Sequence, residues 1–131
     1  MNILKTALFC AMLTPLALTG VAFAQDAQPM TITLTSYAFA PNAVMLKANT
    51  PVRLHLVNNA TKSHNFSAPE FFAAATVAPA DQSKVVKGEI EVDEGQTVDV
   101  TVTPTHAGTY DLKCTHFMHT MLGMTGKIVV Q

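Results

Sequence analysis

The stretch Gly108-Thr-Tyr110-Asp-Leu-Lys-Cys114-Thr-His116-Phe-Met118-His119-Thr-Met121-Leu-Gly-Met124-Thr-Gly126-Lys-Ile-Val-Val130 decides the reading. Its ends, Gly108 to Cys114 and Lys127 to Val130, read as strands. Between them a short loop collects one cysteine, two histidines and three methionines. Thiolate, imidazole and thioether form a soft-to-borderline donor set that suits copper better than calcium, magnesium or manganese. An electron-transfer copper centre takes two imidazoles and one thiolate near a plane, with a weak thioether above it. The spacing Cys114-x4-His119-x4-Met124 offers one of each kind. The second imidazole has to come from elsewhere in the chain, and His64 in Ser63-His64-Asn65-Phe66 is the candidate.

The rest of the chain reads as short strands and turns. Thr31 to Thr35 alternates with period two and is β-branched, as a half-buried strand should be. Tyr37 to Asn42 is expected as a turn carrying aromatic plugs, followed by a strand over Val44 to Lys47 and a turn at Asn49-Thr-Pro51. Val52 to Val57 alternates so that Val52, Leu54 and Leu56 share one face, leaving Arg53 and His55 outside. Ser67-Ala-Pro69-Glu70 reads as a capping box with proline in the first turn, so one short helix is expected through Phe71-Phe72. Pro79 should end that excursion. Glu89 to Val92 precedes an Asp93-Glu94-Gly95 turn, and Gln96 to Val102 alternates strictly. Many short strands and one helix predict an all-β protein, a Greek-key β-sandwich with one short helix after the first candidate histidine.

The first 24 residues read differently. Lys5 carries one positive charge, Thr6 to Val21 is mostly apolar, and Ala22-Phe-Ala24 is a small-x-small cleavage site. Those are the parts of a secretory signal peptide. Thr14-Pro15 and Thr19-Gly20 interrupt the apolar run, which falls short of the roughly 20 residues that span a bilayer. The expectation is therefore a leader over 1–24 and one domain over 25–131, with no membrane span after cleavage, a periplasmic location and a monomeric protein. Cys10 would leave with the leader, so Cys114 would be the only thiol and no intramolecular disulfide could form. An unpaired thiol in an oxidising compartment needs protection, and a bound metal supplies it. Cleavage also removes Lys5, leaving seven basic against nine acidic residues and no electrostatic footprint for nucleic acid.

Each candidate has a plainer reading. Cys114 could be a small buried apolar residue, but it ends a strand beside a loop of imidazoles and thioethers. Met118, Met121 and Met124 recur every third residue and could fill a core, although a single axial position would use only one of them. His116 is expected near the rim, pointing away from the ion, with a second and weaker metal contact left open. Met118, Met121, Phe117 and Leu122 should lie on the surface around His119, either as a docking patch or as a Cu(I)-capturing rim. His55, His106 and the acidic group Glu89, Glu91, Asp93, Glu94 read as solvent-facing, the last as a solvated hairpin. A structural zinc site fits poorly, since the spacing matches no standard finger and Met124 would be idle.

Taken together, Gly108-Thr-Tyr110, Cys114, His119 and Gly123-Met124-Thr-Gly126-Lys-Ile-Val-Val130 resemble the copper loop of the cupredoxins, such as plastocyanin and pseudoazurin. The longer gap between cysteine and histidine is similar to that of auracyanin or azurin. Ser63-His64-Asn65-Phe66 is similar to the upstream ligand segment, and the resemblance extends over most of residues 30–131. It implies one copper ion per chain held by His64, Cys114, His119 and Met124. It also implies that Asn65 ties the upstream segment to Thr115, the residue after the cysteine. The function implied is a one-electron carrier serving a redox partner such as a c-type cytochrome. The alternative is a copper sequestration or delivery protein that meets other copper-handling proteins. The sequence has no His-x-His pair, which argues against an oxidase.

Overall fold

The computed structural model describes residues 26–119 and 121–131; the expected leader over 1–24 lies outside the described residues. Ten strands are formed: β1 (Gln28–Thr35), β2 (Ala38–Ala40), β3 (Ala43–Leu46), β4 (Val52–Asn58), β5 (His64–Ser67), β6 (Ala75–Val77), β7 (Glu89–Val92), β8 (Thr97–Pro104), β9 (Gly108–Lys113) and β10 (Thr125–Val130). A short helix α1 (Pro69–Ala73) and a 3-10 turn over Pro79–Lys84 complete the elements among the described residues. One sheet has the order β2-β1-β4-β8-β6 and the other β3-β10-β9-β5-β7. The chain therefore changes sheet at every connection from β2 to β9, and two sheets stack as a sandwich around one core.

Period-two alternation explains the core directly. Ile32 and Leu34 of β1, Leu54 and Leu56 of β4, Val100 and Val102 of β8, and Ile128 and Val130 of β10 are all buried, while their neighbours in sequence face outward or the rim. A run of edge-to-face aromatic contacts crosses the middle: Phe39 to Phe66, Phe66 to Phe72, Phe72 to Phe71, and Phe71 to Tyr110. Tyr110 also donates its hydroxyl to the carbonyl of His106 at 2.9 Å, tying the start of β9 to the turn before it.

Several local expectations are corrected. Phe39 lies on a short strand, β2, that pairs with β1, rather than in a turn. The capping box does not form: α1 starts after Ala68 with no side-chain cap, and the Ser67 hydroxyl donates instead to Glu89 at 3.0 Å. β5 pairs with β7 through this residue, Ser67 lying opposite Glu89, so the serine belongs to the sheet and not to the helix. Pro79 opens a 3-10 turn instead of ending the excursion, and β6 pairs with β8 ahead of it.

Candidate copper site

The parity of β9 aims the cysteine. Tyr110, Leu112 and Cys114 occupy alternate positions, and the last two are fully buried. His64 stands at the start of β5, the strand beside β9, and is 2% exposed. The loop after Cys114 then folds back on itself. The Cys114 N–H donates to the Met124 carbonyl at 3.1 Å, and the Met124 N–H donates to the His119 carbonyl at 3.0 Å. Met118 with φ 68° and Gly123 with φ 94° make the left-handed bends this closure needs. His119 is thereby turned inward over the cysteine and Met124 is fully buried.

The donor atoms meet. Nδ1 of His64 and Nδ1 of His119 lie 3.0 Å apart, and Sγ of Cys114 lies 3.8 Å from the first and 3.3 Å from the second. Three ligands around a first-row ion, at the bond lengths of about 2.0–2.3 Å that imidazole and thiolate make with zinc, would stand about 3.5–4.0 Å apart in a plane. The observed triangle is within a few tenths of an ångström of that arrangement. Among the described residues, His64, Cys114 and His119 form the one group of three or more histidine, cysteine or carboxylate side chains close enough to hold a metal.

Neighbouring groups fix the triangle. The Asn65 side-chain carbonyl accepts from the Thr115 N–H at 2.8 Å, and its amide donates to the Thr115 hydroxyl at 2.6 Å. The backbone N–H of Asn65 points at the Cys114 sulfur, 3.5 Å away. Asn65 and Thr115 are thereby joined across the two segments, and the amides that favour the thiolate belong to Asn65 and His116. The His119 ring is held on two sides, by Tyr37 edge-on at 5.2 Å and by His116 stacked at 5.5 Å with an interplanar angle of 16°. His116 is at the rim, yet it does not turn away. Its Nε2 bonds the carboxylate of Glu91 at 2.8 Å, and its ring lies parallel over His119.

Burial sets the protonation of the triangle. It pushes the Cys114 thiol above its ordinary value, with Glu91 and Glu89 adding to the rise and the amides of Asn65 and His116 opposing it. Burial likewise lowers both imidazoles, with His119 and His116 acting on His64, and His116 and Lys62 acting on His119. Neutral imidazoles are the form that binds metal, whereas the thiol must lose its proton to do so. His64 Nε2 is buried with no hydrogen-bond partner among the described residues.

Around His119 the surface is apolar. Phe117 is 89% exposed and Met121 81%, with Met118, Leu122 and Tyr37 also exposed. The cavity lined by both His64 and His119, together with Ser36, Tyr37 and Lys62, measures about 70 Å³. It is far below the roughly 300–1,000 Å³ of sites that enclose small molecules. Sequence reasoning missed Tyr37, Glu89 and Glu91. Their link to the loop runs through strand pairings and ring contacts across the sandwich, which leave no local signal.

A two-sheet sandwich with a buried His-Cys-His triangle and a methionine in the closing loop defines a single-copper binding domain. The model of the cupredoxin-like domain family matches residues 7–130, and the chain belongs to that family. Auracyanin B is similar to it at 27% identity, over 80% of this chain and 89% of that one, with a TM-score of 0.59. Auracyanin A, a "blue" copper protein from the green thermophilic photosynthetic bacterium Chloroflexus aurantiacus, is 27% identical over 79% of this chain and 99% of that one, with a TM-score of 0.54. The fold also matches the McoA multicopper oxidase of Aquifex aeolicus at 19% identity and a TM-score of 0.64, over 92% of this chain but 32% of that one. A search of curated protein sequences returns no match.

Proposed function

We propose that the protein is an exported one-electron carrier, in which one copper ion would be held by Nδ1 of His64, Sγ of Cys114 and Nδ1 of His119, with the thioether of Met124 as a fourth and weaker ligand. When bound, the ion supplies a reversible Cu(II)/Cu(I) couple. The observation that carries the reading is that the three donor atoms converge within 4.8 Å of one another on buried side chains. A site held this firmly favours passing electrons over turning over a substrate, and the 70 Å³ cavity leaves no substrate position beside both imidazoles. Exposed Phe117, Met118, Met121 and Leu122 surround the outer side of His119 and suit a partner with an apolar face, such as a c-type cytochrome. The sequence of residues 1–24, read as a secretory leader, supports a periplasmic location. Among the described residues no helix is long and apolar enough to cross a membrane.

Addition of Cu(II) to the apo protein should give an intense visible band with one copper per chain. Cys114→Ser should lose that band. Wild type that stays colourless would overturn the proposal. A second reading, copper sequestration or delivery, draws support from the exposed thioethers of Met118 and Met121 beside His116. It requires more than one Cu(I) per chain and slow electron exchange with a cytochrome; the carrier reading requires one ion and fast exchange.

A further inference from the structure

Glu89 was expected on a solvated hairpin; it does close a tight turn with Val86 and is only half-buried, but its carboxylate is engaged by other side chains. Its strand, β7, pairs with β5 so that Asn65 lies opposite Glu91 and Ser67 opposite Glu89. This brings the Glu89 carboxylate over the clamp that joins the two ligand segments. One of its oxygens accepts from the Ser67 hydroxyl at 3.0 Å and from the Thr115 hydroxyl at 3.3 Å. The other accepts from the Asn65 side-chain amide at 3.1 Å.

The bonds form a network in which every side-chain donor hydrogen is used. Asn65 Nδ2 has two hydrogens, one for Thr115 and one for Glu89; the Thr115 hydroxyl accepts from Asn65 and gives its own hydrogen to Glu89. Without the carboxylate, the Asn65 amide would lose one acceptor and the Thr115 hydroxyl would lose its orientation. Both residues are direct neighbours in sequence of the proposed ligands, Asn65 of His64 and Thr115 of Cys114. Groups that orient ligands in this way tune the metal they surround.

Charge adds a second effect. Glu89 bonds directly to Thr115, the residue that follows Cys114. A fixed negative charge close to a metal stabilises the more positive oxidation state.

We propose that Glu89 is a positioning residue of the copper centre: its carboxylate locks the Asn65–Thr115 clamp and holds the reduction potential of the bound ion down. The inference rests on copper being the resident metal, and it holds for either reading of the function.

The test uses copper-loaded wild type, Glu89→Gln and Asp26→Asn, compared by redox titration. Asp26 is a charge-only control that precedes β1, a strand whose far end leads to Tyr37 beside His119. Glu89→Gln should favour Cu(I) by about tenfold, an upward shift of about 59 mV for a one-electron couple, while Asp26→Asn stays at the wild-type value. A shift in Glu89→Gln no larger than in Asp26→Asn overturns the proposal. A second measurement needs no metal: the side-chain amide hydrogens of Asn65 in the apo wild type should exchange with solvent at least tenfold more slowly than those of Asn65 in apo Glu89→Ala. Equal exchange in the two proteins also overturns it. Wild type that takes up no copper overturns the copper reading instead, and the exchange measurement still decides whether the carboxylate locks the clamp.

Discussion

Asn58 offers a sharp test of how the fold holds the metal end of the sandwich together. It is the last residue of β4, 1% exposed, and its side chain bridges the two sheets. Its amide donates to the carbonyls of Lys62 and Val92 at 2.9 Å and of Asp93 at 3.2 Å. Its carbonyl accepts from the Ala60 N–H at 2.9 Å, an Asx-type turn that starts the loop into His64. Asn58→Ala removes roughly three net hydrogen bonds at about 1 kcal/mol each, and leaves a buried carbonyl of β7 unsatisfied at about 1 kcal/mol or more. The total is about 4 kcal/mol, a large part of the roughly 5–15 kcal/mol that stabilises a domain. With a urea slope of about 1.5 kcal/mol/M, the unfolding midpoint of the apo protein should drop by about 2–3 M. Asn58→Asp is the sharper variant, because it keeps the shape and the bond to Ala60. It replaces the amide with a second oxygen facing three carbonyls, so it should cost at least as much as alanine. Urea unfolding of the apo proteins, followed by far-UV circular dichroism, measures both. An aspartate variant within about 0.5 kcal/mol of wild type, which is the size of an ordinary surface substitution, would show that Asn58 fills space and that its amide does not join the sheets.

Two further outcomes are expected. Stability of the apo protein should be greatest between about pH 6.5 and 8.5, the ordinary imidazole and thiol values. Below that window the unfolded chain takes up protons that lowered His64 and His119 refuse, and above it the unfolded thiol ionises before the raised Cys114, so urea midpoints should fall on both sides. A midpoint that rises on acidification to pH 5 would contradict this. Gly126→Ala would place a Cβ 2.5 Å from the Asn42 carbonyl oxygen and 3.3 Å from Leu112 Cδ2. The Lys127 N–H donates to that same carbonyl where β10 runs parallel to β3. The backbone must therefore shift, and the urea midpoint should fall by the equivalent of about 2–3 kcal/mol, the upper range of overpacking; an unchanged midpoint would show that the pairing of β10 and β3 is slack.

The sequence was most legible where a feature is periodic. Alternation in Val52 to Val57 and Gln96 to Val102 marked β4 and β8 and their buried faces, and the Cys114-His119-Met124 spacing marked the loop. It was least legible where a side chain serves a partner distant in sequence. Ser67 has every local mark of a helix cap, and its hydroxyl goes to Glu89 because β5 and β7 are paired. Glu89 and Glu91 look like solvated charges on a hairpin until that same pairing sets them over Asn65, Thr115 and His116. His116 was expected to face away, but the loop coils so that its ring lies over His119. Asn58 sits in a strand pattern as a polar interruption, and nothing local announces its three carbonyl partners.

The residues that sequence reading overlooked bear on the choice between the two functions. Delivery of copper requires a ligand that can swing out and carry the ion with it. His119, at the surface side of the triangle, is the residue placed to do so. Here Tyr37 meets its ring edge-on, His116 is stacked on it and tied to Glu91, and its carbonyl closes the loop onto Met124. His64 is fixed more firmly still, by a strand with neighbours on both sides. A triangle held by strand pairing, ring contacts and backbone bonds resists the rearrangement that release demands. It also leaves little to reorganise when the charge on the ion changes by one. The same rigidity thus weighs against delivery and in favour of electron transfer, and the exposed methionines are left as a surface for meeting a partner, outside the cage.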